Sequence, residues 1–166
     1  MRTYQLDNHE RITVLYADPL YLDVEVEFPP GGSAPPRHVH PAQSVHFELL
    51  EGSMHLTVDN DETVVHAGGL IDIDAGVSHR LWNPDSGPAR AIWRTTPAGR
   101  TEEWFETMSE MPRRHGRRDL AAYLVALNEY DDVYRYDLRP QLFAKWAISW
   151  MSPVFRLWVW ARPTVL

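Results

Sequence analysis

Cysteine is absent from this chain of 166 residues, and lysine is nearly absent, with Lys145 alone among sixteen basic residues. The lack of cysteine excludes disulfides, thiolate metal ligands and cysteine nucleophiles together, and leaves the redox compartment open. A metal site in this protein must therefore be built from histidine or oxygen ligands. At this length the chain is expected to form one structural domain with a sizeable core.

The chain also lacks an excess of positive charge, since its net charge is −7. Residues 1–96 hold six arginines against fourteen acids, a balance of −8, and residues 97–166 hold ten bases against nine acids, a balance of +1. An acidic surface repels the phosphate backbone, so no nucleic-acid partner is expected. The basic run RRHGRR at 113–118 is predicted to be a solvated loop rather than an anion site.

Long uninterrupted apolar runs are missing as well. The N-terminus has no uncharged apolar core after Arg2, which argues against a secretory signal and makes the cytoplasm the expected location. Residues 140–161 contain four tryptophans but are interrupted by Lys145, Pro153 and Arg156, whereas a membrane span needs about 20 apolar residues. We expect this segment to bury an aromatic face on the rest of the domain or on a second subunit, with peripheral membrane contact as the weaker alternative.

Before residue 97 the sequence consists of short β-type runs separated by turn residues. Residues 21–28, YLDVEVEF, alternate strictly between apolar and acidic side chains, as in a strand with one buried face. We interpret the acidic row as the solvated face of an edge strand, formed by Asp23, Glu25 and Glu27. Repeated short strands of this kind predict an antiparallel sandwich or barrel over residues 1–97.

After residue 97 the hydrophobic period becomes helical. Thr101 is the expected cap of a first helix and Asp119 of a second, at residues 119–130. A third helix should begin after Pro140 and be broken by Pro153. Residues 98–166 are thus predicted to be a helical extension that packs on the β part or on a dimer partner.

Residues 37–52, RHVHPAQSVHFELLEG, contain the most informative cluster of side chains. His38 and His40 are two apart, so on a strand both point to one face, about 6.5–7 Å apart along the backbone. Two imidazoles in this arrangement can converge on one ion at about 2.0–2.1 Å. His79 follows a glycine turn and is the candidate third ligand from a neighbouring strand. By themselves these residues leave a metal site and a chance pair of histidines as alternatives.

The spacing of this region resembles the two motifs of the cupin superfamily. In the first motif glycine is followed by His-x-His and a later glycine, and in the second, glycines precede a histidine and an asparagine. The matching residues are Gly32, His38, His40 and Gly52, then Gly68, Gly76, His79 and Asn83. The resemblance implies a mostly β fold, an antiparallel jelly-roll barrel of six to eight strands, followed by C-terminal α-helices and often assembled as a homodimer.

Two positions depart from the cupin pattern. Asp74 stands where the second motif has proline, and Val45 stands where the first motif has a glutamate that commonly serves as the fourth metal ligand. With valine there, the resemblance implies a site of three neutral histidines, similar to cupins that hold one divalent zinc, iron or nickel ion with open positions. A pocket without metal remains the alternative. Gln43 is a candidate weak ligand or water-orienting residue.

The predicted pocket is otherwise apolar, as is usual for small-molecule sites. Its expected lining consists of Val45, Phe47, Leu56 and Leu81. His46 follows the ligand face by one residue, so strand alternation directs it to the opposite face. His55 and His66 have no supporting motif and are expected to be exposed strand histidines.

The leading functional hypothesis is a metal-dependent enzyme that acts on a small hydrophobic, oxygenated molecule. Zinc or nickel would suit Lewis-acid chemistry such as cyclisation or isomerisation, and iron would suit a dioxygenase. We favour the non-redox branch because no acidic ligand offsets the charge of an oxidised iron. The hypothesis from another class is a metal-free ligand-binding or accessory protein, for which Val45 is the main support.

Overall fold

The fold is known from a computed structural model that describes residues 2–6, 10–111, 113–114 and 117–137. The predicted third helix and the tryptophan-rich segment 140–161 lie outside these residues. Within the described part, no helix has the length and apolar character needed to cross a bilayer. The strands before the first helix are β1 Thr3–Gln5, β2 Arg11–Ala17, β3 Leu22–Phe28, β4 His38–Val39, β5 Ser44–Glu51, β6 Ser53–Val58, β7 Asp61–His66, β8 Leu70–Ile73, β9 His79–Trp82 and β10 Ala89–Thr96. They are followed by α1 Thr101–Glu110, β11 Arg113–Arg114, β12 Arg117–Arg118, α2 Leu120–Glu129 and β13 Arg135–Tyr136.

Two antiparallel sheets make up the β part, which confirms the predicted antiparallel cupin-type fold. One sheet has six strands in the order β1-β2-β3-β10-β5-β8, and the other has five in the order β13-β4-β9-β6-β7. The expected six to eight strands correspond to β3 through β10. The additional strands are the hairpin β1–β2 at one edge and β13, which the chain after α2 adds to the second sheet by pairing with β4.

One hydrophobic core is shared by both sheets and α1. Strand β3 contributes every second residue, and all four of its apolar side chains are buried. Helix α1 contributes Trp104, Phe105 and Met108, whose spacing puts them on the buried face of the helix. This packing holds α1 against the end of the first sheet, beside the cavity described below.

The acidic row of β3 does not lie at an edge, so that interpretation was wrong. β3 pairs with β2 on one side and with β10 on the other. Arginines on these neighbouring strands provide cross-strand partners, which explains how an interior strand accommodates three carboxylates. The ion pairs are Asp23–Arg94 at 2.7 Å, Glu25–Arg90 at 3.4 Å, and Glu27–Arg11.

Of the two predicted helix caps, one is confirmed and the other is wrong. Asp119 caps α2 by accepting hydrogen bonds from the backbone N–H groups of residues 121–122, as predicted. Thr101 is not a cap, because it is the first helical residue and Arg100 precedes it without a side-chain capping bond. The hydroxyl of Thr101 instead accepts a hydrogen bond from the buried amide of Gln43 at 2.8 Å.

The basic run at 113–118 differs from the predicted loop where its residues are described. Its described residues form the short antiparallel hairpin β11–β12. The Arg118 side chain is half-buried, with its guanidinium carbon 5.7 Å from the centre of the Tyr123 ring. Arg118 thereby becomes part of the wall of the main cavity.

Candidate metal centre and its cavity

Three histidines converge at the meeting point of β4 and β9. His38 on β4 pairs directly with His79 at the start of β9, and His40 follows β4. The ring centres are 4.4 Å apart for His38 and His79, 5.2 Å for His40 and His79, and 5.3 Å for His38 and His40. One potential ligand atom from each residue lies within 4.8 Å of the others. Nitrogens sharing an ion at roughly 2.0–2.1 Å lie no more than about 4.2 Å apart, so metal binding would draw the rings slightly together.

Backbone carbonyls orient each of the three rings through its Nδ1 atom. The distances are 2.8 Å from His40 to the carbonyl oxygen of Val133, 2.9 Å from His79 to that of Val77, and 3.4 Å from His38 to that of Pro36. A carbonyl can only accept, so Nδ1 carries the proton in each neutral ring and Nε2 keeps its lone pair. Among the described residues no hydrogen bond involves these Nε2 atoms, which leaves them available to a ligand.

Burial keeps the three imidazoles neutral. Desolvation, with additional repulsion from His79, lowers the pKa of His40 to about 4. Desolvation and the two neighbouring histidines lower the pKa of His38 well below its ordinary value, and desolvation lowers that of His79. Neutral imidazole is the form that binds metal, and three such nitrogens suit zinc, nickel or iron(II). The donor set therefore fits a divalent cation.

No carboxylate joins this cluster among the described residues. Val45, at the position where the motif has glutamate, is buried and lies in register between Ile73 and Thr95. A cation held by the three histidines would therefore keep its full charge, with its remaining coordination positions open to water or substrate.

The histidines line a cavity of about 250 Å³ between the β part and the C-terminal elements. Of the predicted lining, Phe47 and Leu81 lie on its wall. Val45 and Leu56 are buried in the hydrophobic core and are not among the lining residues. Gln43 is also outside the lining, since its amide nitrogen lies 2.8–2.9 Å from the carbonyl oxygens of residues 97–98.

Sequence reasoning missed the contribution of residues 133–136 to the site. Val133 provides the carbonyl that orients His40, and Tyr134 stacks on His38 with ring centres 4.6 Å apart. The other face of Tyr134 stacks on Trp104 of α1 at 5.2 Å. The alternation of Tyr134 and Tyr136 in the sequence VYRY is the one signal from which a strand could have been predicted here. It carried no information about which strand it would join.

Two donors in the cavity wall have no hydrogen-bond partner among the described residues. They are the indole N–H of Trp93 and the Nε–H of Arg118, and both atoms are buried. Buried donors without a partner are rare because each costs about 1–3 kcal/mol. Both residues line the same cavity, where an occupant with oxygen acceptors would satisfy the two donors.

The three other histidines among the described residues lie away from the cluster. His46 is half-exposed on the opposite face of β5 and contacts the carboxylate of Asp72 at 2.6 Å. His66 is exposed, while His55 is half-buried beside Trp82 at 5.5 Å between ring centres. None of these three belongs to the cavity lining.

Residues of the two sequence motifs are joined to each other and to neighbouring strands by hydrogen bonds. The backbone N–H of Gly76 donates to the carbonyl of His40 at 2.8 Å, which joins the turn before His79 to the segment that bears His40. The buried amide of Asn83 donates to the carbonyls of Phe28 and Gly87. Asn83 therefore has a structural function here.

Comparison with known families and proteins agrees with this fold. Residues 24–94 match the family described as Cupin domain. Over 72 residues, 43% of this chain and 48% of the relative, the sequence is 29% identical to the tetracenomycin polyketide synthase protein TcmJ of Streptomyces glaucescens. The chain thus spans about half the length of this curated relative.

Solved structures show the same fold at low sequence identity. KdgF from a Halomonas species matches with a TM-score of 0.54 and 13% identity, covering 61% of this chain and 93% of that one. An RmlC-like cupin from Shewanella frigidimarina matches with a TM-score of 0.54 and 20% identity, covering 61% and 87%. These similarities concern the fold alone.

Proposed function

From the premise that this chain is a cupin-superfamily protein, with its cupin domain at residues 24–94, we propose that it is a metal-dependent enzyme for a small hydrophobic, oxygenated molecule. Its reaction is of the Lewis-acid cyclase or isomerase type. His38, His40 and His79 are the metal ligands in this proposal. The relative named as a polyketide synthase protein supports a substrate of this chemical character.

A single observation carries the proposal. All three rings point Nδ1 at a backbone carbonyl, so three Nε2 lone pairs are left within one small, buried cluster. Three acceptors gathered without a donor are unfavourable unless a cation or a ligand donor joins them. A divalent cation satisfies all three at once.

The surrounding residues set the conditions for the chemistry. When bound, the cation supplies polarisation of a carbonyl or enolate oxygen. The aromatic wall formed by Trp93, Trp104 and Tyr134 excludes water and orients a planar substrate against the histidines. Burial raises the pKa of Tyr134 well above its ordinary value, so its hydroxyl remains a hydrogen-bond donor at neutral pH.

Val45 favours one other candidate function, a metal-free ligand-binding protein. Without the glutamate, the site offers a cation no negative charge, which lowers affinity for every divalent metal. In this alternative the Nε2 atoms of the histidines accept hydrogen bonds directly from the ligand.

The two functions are distinguished by metal analysis of the protein purified without a histidine tag. We expect near-stoichiometric zinc, nickel or iron by mass spectrometry in the wild type. The double variant His38→Ala/His79→Ala should lose it. The matched control is His46→Ala, which removes a histidine of strand β5 outside the cavity and should retain the metal.

A wild-type protein that stays free of metal after dialysis against each of these ions would contradict the enzyme proposal. Equal metal loss in His46→Ala and in the double variant would also contradict it. In either case the folded state is checked by circular dichroism, so that a loss of metal is not confused with unfolding.

A further inference from the structure

Arg118 is a cationic donor that the proposed metal chemistry does not use. It lies on the cavity wall, and its buried Nε–H has no partner among the described residues. It also makes no ion pair with any described carboxylate. Its guanidinium lies against the ring of Tyr123, which supports it from one side and leaves the buried Nε–H unpaired among the described residues.

A row of tyrosine rings connects Arg118 to the histidine cluster. Tyr123 lies against Arg118 and shares a hydroxyl–hydroxyl hydrogen bond with Tyr136. Tyr136 contacts Tyr134 at 5.4 Å between ring centres, and Tyr134 stacks on His38 at 4.6 Å. The cavity therefore has the histidines at one end, a cation at the other, and aromatic rings between them.

The charges of the lining give an occupant one preferred orientation. The charged side chains among the described lining are Arg118 and Glu10. Glu10 has an interaction of its own and follows the β1 edge of the first sheet. An anionic group on the occupant is attracted to Arg118.

We propose that Arg118 is the specificity-determining residue of this cavity and that the occupant is a planar aromatic acid. Its carboxylate or acidic phenolate oxygen lies on the guanidinium of Arg118, and its ring stacks along the tyrosine row. The guanidinium fork matches a carboxylate with two parallel N–H···O bonds. The further statement that this occupant is the substrate of an enzyme rests on the proposed function.

The size of the cavity agrees with such an occupant. A volume of about 250 Å³ lies just below the range of roughly 300–1,000 Å³ that is typical of drug-sized ligands. A bicyclic acid is therefore a suitable probe. The buried N–H of Trp93, which lies beside His40 at 6.1 Å between ring centres, is available for a second oxygen near the histidines.

The experiment is a calorimetric titration of the full-length, chelator-treated protein with 2-naphthoate and with its neutral analogue 2-naphthamide. We expect the wild type to bind naphthoate about tenfold or more tightly than the amide, which is the usual effect of a charge-assisted bond. Arg118→Gln should abolish that preference and leave amide binding nearly unchanged. Arg118→Lys keeps the charge but not the fork, and should retain part of the preference.

The matched control is Arg90→Gln. It removes an arginine that pairs with Glu25 on the outer face of β3 and β10, so it should preserve the preference. Equal binding of acid and amide by the wild type would overturn the proposal. So would binding of neither probe, or an equal preference in the wild type and Arg118→Gln.

The result is independent of the metal proposal, because the titration uses protein from which metal has been removed. If the protein loads metal but shows no preference for the acid, only the proposed function of Arg118 is rejected. A clear preference for the acid in a protein that never loads metal rejects the metal-dependent enzyme and leaves the aromatic-acid site in place.

Discussion

The imidazole of His40 donates its Nδ1–H to the carbonyl oxygen of Val133, 2.8 Å away and 93 positions later in the chain. The next residue, Tyr134, stacks on His38. The C-terminal extension therefore supplies both an orienting carbonyl and an aromatic wall for a site whose three histidines all lie in the β part. Strand β13 and the hydrogen bond from Ser78 to Asp137 fasten this segment to the second sheet.

Replacement of Tyr134 tests whether this segment positions the histidines. Tyr134→Ala removes the ring packed between His38 and Trp104, so the His38 imidazole loses its fixed orientation. Loss of such an outer contact typically weakens metal binding about 10–100-fold. Tyr134→Phe keeps the ring and should stay within about threefold of the wild type. Competition with a fluorescent chelator measures both values, and equal affinities of the Ala and Phe variants would contradict the prediction.

Gln43 has a structural function that can be separated from metal binding. Its buried amide nitrogen lies 2.8–2.9 Å from the carbonyls of Pro97 and Ala98 and the hydroxyl of Thr101, so it joins the end of β10 to the start of α1. Gln43→Leu leaves these acceptors unpaired and should lower the free energy of unfolding by about 1–3 kcal/mol. Urea denaturation measures this loss.

The metal content of Gln43→Leu decides whether Gln43 is also a ligand. We expect it to equal that of the wild type. The control for stability is Thr101→Val. It removes only one of the three acceptors, so its free energy of unfolding should fall less than that of Gln43→Leu. Loss of metal from a folded Gln43→Leu protein would identify the amide as a ligand instead.

Gly52 and Gly68 form a matched pair for testing backbone strain against steric overlap. Both are motif glycines with positive φ, at +79° and +85°. A Cβ at Gly68 has nothing within 4 Å, whereas a Cβ at Gly52 overlaps the carbonyl oxygen of Pro88. Gly68→Ala should cost about 1–2 kcal/mol from the left-handed conformation alone. Gly52→Ala should cost a further 1–3 kcal/mol, roughly, and equal losses in thermal denaturation would disprove the overlap.

The cross-strand ion pairs of β3 should contribute unequally. Arg94 binds Asp23 through two nitrogens at 2.7 Å each, while Arg90 lies 3.4 Å from Glu25. Arg94→Gln should therefore lower the melting temperature more than Arg90→Gln does at low ionic strength. Both differences should shrink in about 1 M salt, where the screening length is about 3 Å. A difference that does not depend on salt would assign the effect to packing rather than charge.

Local patterns were sufficient to predict much of the fold and the centre of the candidate site. Strict alternation in β3 correctly identified its buried face, and Asp119 was recognised as a helix cap, because these features depend on neighbours within a few residues. The pairing partners of β3 depend on residues far along the chain. For that reason the acidic row was misread as an edge, and its arginine partners were not anticipated.

The shared face of His38 and His40 could be predicted from the sequence, since a two-residue period on a strand directs side chains to one face. The motif glycines and the absent glutamate at Val45 were identified through the resemblance to the cupin motifs. The part of the site that the C-terminal extension contributes could not be predicted from the sequence. Residues 118–136 reach the histidines only through tertiary packing, as α2 and β13 return the chain to β4. The sequence by itself thus determined which side chains share a strand face, and the tertiary structure decided which distant backbone carbonyl, tyrosine and arginine surround them.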